Sequence, residues 1–196
     1  MPTETDENGD GNEIELSEDE LREIAGYAAG CARKVLTLFE QSLPDDPRPR
    51  EAIDAADAFA GGGRRTAALR RSAWAAYRAA QEADAMVTAT PAAATATAAA
   101  AADAARAASH AAAAGYLHPR ASAHQVKHIL GAAAHAARAQ ELASGEDRQV
   151  TSGTLDRACR HAPPAVTAVL SRLPGAPGGG GRVGELIRAL DAALRA

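Results

Sequence analysis

The chain has little of what most domains use to build a core or a catalytic centre. Only 3% of its 196 residues are aromatic: one Trp, three Tyr and two Phe. Its two cysteines, Cys31 and Cys159, are too few and too far apart for a disulfide framework. Neither belongs to a Cys-x-x-Cys pair, so reduced thiols are expected, with Cys31 serving as a small apolar residue. Lysine occurs only at Lys34 and Lys127, and basic residues do not interleave with aromatics in the manner of single-strand nucleic-acid binders. No positively charged segment leads into an apolar stretch, so no secretion signal is read. The long uncharged run between Asp84 and Asp103 is Ala and Thr around Pro91, far less apolar than a membrane span. A cytoplasmic location with no membrane contact is expected.

Alanine fills the space left by these absences, at 54 of 196 positions. Alanine is the best helix former and a poor strand former, so the composition demands an all-α fold. The formal charge of −4 conceals an asymmetry. The first 20 residues hold nine acids and no base, whereas the rest holds 16 acids against 21 Lys and Arg. Beyond Met1, residues 1–15 contain a single large apolar side chain, Ile14, and are expected to be a disordered acidic tail. Such a tail would either attract a basic partner such as a nuclease or act as a solubiliser.

A first helix is announced by Ser17 as cap, Glu20 closing a Ser-x-x-Glu box and Leu16 with Leu21 as a hydrophobic staple. Leu21, Ile24, Ala28, Cys31, Val35 and Leu38 extend it as one stripe to about Ser42. The proline-rich connector 44–50 leads to a second helix with Ile53, Ala56, Phe59 and Ala60 on its buried side, stopped by Gly61-Gly62-Gly63. A third runs from about Thr66 to the mid-80s with Leu69, Ala73, Trp74, Ala76, Tyr77 and Ala80 as its apolar residues. A fourth, capped by Thr90 with Pro91 in its first turn, is a nearly pure alanine slab to Gly115. A fifth runs from beyond Pro119 to about Ala143. Residues 16–145 thus read as an alanine-rich bundle of about five core helices. Residues 146–196 read as a short helical extension: a helix near Leu155–His161, another opened by Pro163-Pro164, and a last one at Val183–Arg195. The Gly- and Pro-rich stretch 174–181 between the last two reads as a loose tether.

Chemistry is harder to find. His124, His128 and His135 project within about 40° of one another on the fifth helix. Two ligands one turn apart make half a zinc site, and no carboxylate completes it, so a polar or helix-packing stripe is preferred to a metal site. Arg64, Arg71 and Arg78 recur every seven residues on the third helix and could follow phosphates. A solvated face, or pairing with Glu51, Asp54 and Asp57, is the plainer reading. The Gly61–Thr66 stretch lacks the order of a phosphate-binding loop, and no serine-nucleophile pattern occurs. No catalytic, metal-binding or cofactor-binding residue is assigned.

Two stretches carry a family resemblance. The first is Asp45-Asp46-Pro47-Arg48-Pro49-Arg50-Glu51-Ala52-Ile53-Asp54. The second runs from Ala104-Ala105-Arg106 through His110, Tyr116-Leu117-His118-Pro119 and Gln125-Val126-Lys127-His128-Ile129-Leu130. Over about residues 16–143 the chain resembles the immunity proteins of bacterial polymorphic toxin systems, in the immunity-protein-five-like group. The resemblance implies a non-enzymatic, all-helical protein that neutralises a cognate toxin by direct stoichiometric binding. It marks Asp46, Arg48, Arg50, His110, His118 and His128 as motif positions, for partner binding or for capping helices and locking the connector. The Arg-rich, Lys-poor composition further suggests a high-GC bacterium such as an actinomycete. The competing reading is a helical nucleic-acid-binding or regulatory module built on the Arg64/Arg71/Arg78 stripe.

Overall fold

A computed structural model of the chain describes residues 13–89 and 92–196, without the side chains of 88, 89 and 92–94. Of the acidic tail expected to be disordered over residues 1–15, residues 1–12 lie outside the described residues, as does the expected cap at Thr90-Pro91. Described residues form nine helices and no strand: α1 (Glu18–Arg33), α2 (Leu36–Ser42), α3 (Arg48–Ala60), α4 (Ala67–Ala89), α5 (Ala92–Ala114), α6 (Ala123–Ala143), α7 (Arg148–Arg160), α8 (Pro164–Ser171) and α9 (Gly181–Arg195). The chain is all-helical, as its composition requires.

Helix α1 begins as its sequence dictates. The Ser17 hydroxyl accepts from the Glu20 amide at 3.2 Å, and the Glu20 carboxylate accepts from the Ser17 amide at 2.8 Å. The single stripe expected to Ser42 is broken at Lys34-Val35. There the amides of Val35 and Leu38 donate three residues back, to Ala32 and Val35, at 3.1 and 3.0 Å. Val35 is β-branched and fully buried, and the tightened turn steers both Leu36 and Phe39 inward. Helix α7 starts seven residues before Leu155, because the Asp147 side chain caps it, accepting from the Gln149 amide at 2.7 Å.

Helix α5 is the axle of the molecule, packed against α1, α2, α3, α4 and α6. Its Ala101, Ala104, Ala105, Ala108, Ala111 and Ala112 are each 0% exposed. A helix ringed by five others has no room for large side chains; methyl groups let every neighbour approach near the short end of the ~8–10 Å range. Larger residues come from the surrounding helices: Ile24, Phe39, Ile53, Phe59, Val126, Ile129 and Leu130 are all buried. The same apolar core takes in Val166, Val169 and Leu170 of α8 and Leu186, Ile187 and Leu190 of α9.

The connection into α9 is tied down along its length. The Asp191 carboxylate accepts from the Ala176 amide at 2.8 Å, and Arg188 and Arg195 donate to the carbonyls of Pro177, Gly179, Leu173 and Pro174. Gly184 is obligatory here, since a Cβ would lie 2.0 Å from the Gly179 carbonyl oxygen. Arg172 reaches back to Glu20 and to the Glu15 carbonyl, joining the end of α8 to the start of α1. Ile14 is likewise fixed, its amide donating to Pro119 at 3.0 Å.

If close alanine packing sets the fold, Ala105→Leu should lower stability by about 1–3 kcal/mol, the cost of overpacking a dense core. Ala96→Leu, on the exposed side of the same helix, should change it by less than about 0.5 kcal/mol. Urea unfolding followed by circular dichroism measures both.

Candidate functional site

Over residues 100–114 the alanines of helix α5 are interrupted by a polar stripe of Asp103, Arg106 and His110, three and four residues apart. This stripe faces α6, where His128, Gly131 and His135 repeat the same spacing. The His110 ring fills the hole between them. It stacks on His135 with centroids 5.2 Å apart and meets His128 at 6.4 Å. Only glycine admits it, because a Cβ on Gly131 would lie 2.6 Å from His110 Nδ1. His135 Nδ1 pairs with the buried Asp103 carboxylate at 2.6 Å, which places a proton on Nδ1.

His110 Nδ1 is shut off from solvent and has no hydrogen-bond partner among the described residues. Burial above all, reinforced by His135, His128 and Arg106, pushes the His110 pKa down to about 3, so its ring is neutral. Burial also lowers His128, with His118, His124 and Lys127 adding to it. Among the described residues no group of three metal-ligating side chains converges. The histidine stripe is divided: His124 and His128 reach the surface, and His135 packs into the α5–α6 seam.

Beside His110 opens a cleft of about 390 Å³, lined by Arg70, Trp74 and Tyr77 of α4, Ser109 of α5, Tyr116 and His128. Trp74 and Tyr77 were expected among the apolar contacts of the third helix. They are instead 59% and 40% exposed, and their rings meet edge to face at 5.8 Å. At 100° per residue they lie well round the helix from the buried Leu69, Ala73, Ala76 and Ala80, which leaves them on its outer side. Tyr116 forms the opposite wall and is held firmly. Its hydroxyl donates to the Thr66 carbonyl, and the guanidinium groups of Arg70 and Arg65 lie over its ring at 4.4 and 5.7 Å. Half of the chain's six aromatic residues thus line one surface cleft beside a guanidinium. The linear sequence hides this basic and aromatic grouping, although the spacing of Arg70, Trp74 and Tyr77 encodes it.

The motif positions fall in separate places. Asp46 and Arg48 close the α2–α3 connector, with Asp46 accepting from the Arg48 side chain at 2.7–3.1 Å and from its amide at 3.1 Å. Arg48 then reaches Glu82 of α4, with one bond of 3.0 Å. Hydrogen bonds from Arg48 hold both Asp46 and Glu82 below the usual carboxylate range. Arg50 pairs with Glu40 at 2.5 Å. His110 and His128 meet at the cleft, whereas His118 is exposed on the turn after α5, its amide donating to Gln125 at 3.4 Å. Arg64, Arg71 and Arg78 are exposed, and Asp54 and Asp57 pair with Arg33 of α1 rather than with them.

A second opening of about 430 Å³ lies across the α5–α6 seam, between Arg106, Lys127, Arg138 and Arg182. Its arginines are committed to acids, Arg106 to Asp84 and Asp103, Arg138 and Arg182 to the buried Glu141. Hydrogen bonds from Arg182 foremost, then Arg138, hold Glu141 below its ordinary range.

The comparisons bear on this arrangement. The family model described as Imm-5 like putative immunity protein matches residues 15–114, just over half the chain, from the entry to α1 to the end of α5. The chain belongs to that family. Most of the cleft, from Arg70 to His110, lies within the match. No curated protein and no solved structure gives a match. Among the described residues no helix is long and apolar enough to cross a membrane.

The neutral His110 makes stability depend on pH in a defined sense. Its folded pKa is depressed, so the unfolded chain takes up the proton first. The contribution is complete above the ordinary value of 6.5 and is lost as pH falls from there towards about 3. Denaturant midpoints should therefore decline as pH falls below 6.5, before the carboxylates begin to titrate. His110→Phe, which keeps the ring and removes the proton site, should flatten that first part of the profile. An unchanged slope would show that His110 is not held neutral.

Proposed function

We propose that the chain is a cytoplasmic immunity protein of a bacterial polymorphic toxin system, which neutralises a cognate toxin by direct stoichiometric binding without turnover. Membership of the Imm-5 like family supports a toxin partner. The observation that carries the binding reading is the exposed grouping of Trp74, Tyr77 and Arg70 on a rigid helix. Trp, Tyr and Arg are the residues most enriched among interface anchors, and a largely exposed Trp is costly to keep in water without a use. The packed helices supply a surface that needs no ordering on binding, which lowers the entropic cost of association.

On this reading the motif positions divide by task. Asp46, Arg48 and Arg50 hold the connector and the flank of α4. His110 and His128 line the cleft, and His118 lies exposed on the turn after α5. An alanine-rich bundle of five core helices carries this surface, and residues 146–196 buttress it as an extension.

The competing reading, a nucleic-acid module, is favoured by one observation. Arg64, Arg71 and Arg78 are exposed, and among the described residues none is within ion-pair distance of a carboxylate. Co-expression with the products of adjacent open reading frames separates the two. The expected result is that this chain restores growth against one of them and co-purifies with it at fixed stoichiometry. Absence of any rescued product, together with salt-dependent retention on DNA or RNA, would favour the arginine-stripe module instead.

A further inference from the structure

The cleft has a chemistry more specific than an apolar patch. Arg22, Arg33, Arg48, Arg106, Arg138 and Arg182 all pair with carboxylates. Arg70 pairs with none among the described residues, and no carboxylate lines the cleft. Its guanidinium carbon lies 4.4 Å from the centroid of the Tyr116 ring. That contact holds the group at the cleft without committing its N–H donors to a carboxylate, which leaves them for a bidentate acceptor. Arg64 and Arg65, in the segment before α4, and Arg71 on it add positive charge and likewise lie beyond ion-pair distance of any described carboxylate.

Next to the fork, Trp74 and Tyr77 meet at 87°, forming a corner floored by Ala73 and Ala113. Such a corner encloses one bulky side chain. It is a poor platform for successive nucleobases, which stack on parallel exposed faces. A cavity of about 390 Å³ likewise suits a side chain or two rather than a polymer backbone.

Building on the toxin-binding reading above, we infer that this cleft docks an acidic segment of the partner protein, an Asp or Glu on the Arg70 fork and an adjacent large apolar side chain in the Trp74–Tyr77 corner. The remaining α4 arginines speed encounter with that negatively charged segment, so association slows as salt rises.

Trp74 is the chain's only tryptophan, so selectively excited emission reports directly on the cleft. Two titrations test the assignment. One uses the catalytically silenced product of a neighbouring toxin gene. The other uses a random copolymer of glutamate and tyrosine, compared with a lysine–tyrosine copolymer and with single-stranded oligothymidylate. The expected result is saturable quenching or shift with the toxin and the acidic copolymer, and none with the basic copolymer or the oligonucleotide. Arg70→Glu and Tyr77→Ala should each weaken binding by about tenfold or more. Arg148→Glu, exposed on α7, should leave it unchanged. Circular dichroism establishes that each variant is folded.

Protection from the toxin that survives both cleft variants would overturn this inference while leaving the immunity reading intact. A response to the acidic copolymer without protection from any neighbouring toxin would do the reverse. An oligonucleotide response exceeding that of the acidic copolymer would replace the protein segment by a nucleic acid. A shift in Trp74 emission on removing residues 1–12 alone would make the chain's own acidic segment the occupant and overturn the assignment to a partner.

Discussion

Contact between methyl groups governs this molecule. A helix made almost wholly of alanine has little apolar surface per residue, so it can be buried only if several partners come close at once. Helix α5 meets that condition by sitting inside a ring of five helices. Everything else follows from the spacing this imposes. The larger apolar side chains must come from the surrounding helices, and the histidine of α5 can cross to α6 only where Gly131 leaves a hole. Substitutions that are innocuous in a roomier core are felt here, because dense interiors transmit small changes in volume.

The candidate surface lies beside this core. Helix α4 buries Leu69, Ala73, Ala76 and Ala80, and Trp74 and Tyr77, further round the helix, are left outside. Tyr116, held by Thr66 and by two guanidinium groups, supplies a fixed wall opposite them. A protein with six aromatic residues thereby presents three at one place, two of them on a helix that is itself braced to the connector through Arg48 and Glu82. Rigidity of this kind lowers the entropic cost of the binding proposed for the cleft.

Much of the fold was legible in the sequence because local signals agreed. The capping box at Ser17 and Glu20, the proline connector before α3, the glycines after it and the stripes of Ile, Leu and Val all have direct counterparts in the structure. The break at Val35 was hidden, since the apolar stripe continues through it. The early start of α7 rests on a single cap, Asp147, in a stretch that otherwise reads as a linker. The candidate site was the least legible part. His110 and His128 stood out by type, but their meeting depends on the absence of a side chain at Gly131. Trp74 and Tyr77 are spaced as a pair on one face, and that this face is turned outward is visible only once Leu69, Ala73, Ala76 and Ala80 are seen packed inside. The arginines of α4 were visible as a stripe, yet their lack of acidic partners emerges only when Asp54 and Asp57 are seen to face Arg33.

Hydrogen–deuterium exchange on the complex with the product of a neighbouring toxin gene tests the account most directly. Slowed exchange of α4 around Arg70–Arg78, and of residues 109–128, relative to the free protein is the predicted outcome. Protection confined to α7–α9, with the α4 amides and the turn at Tyr116 unchanged, would contradict it.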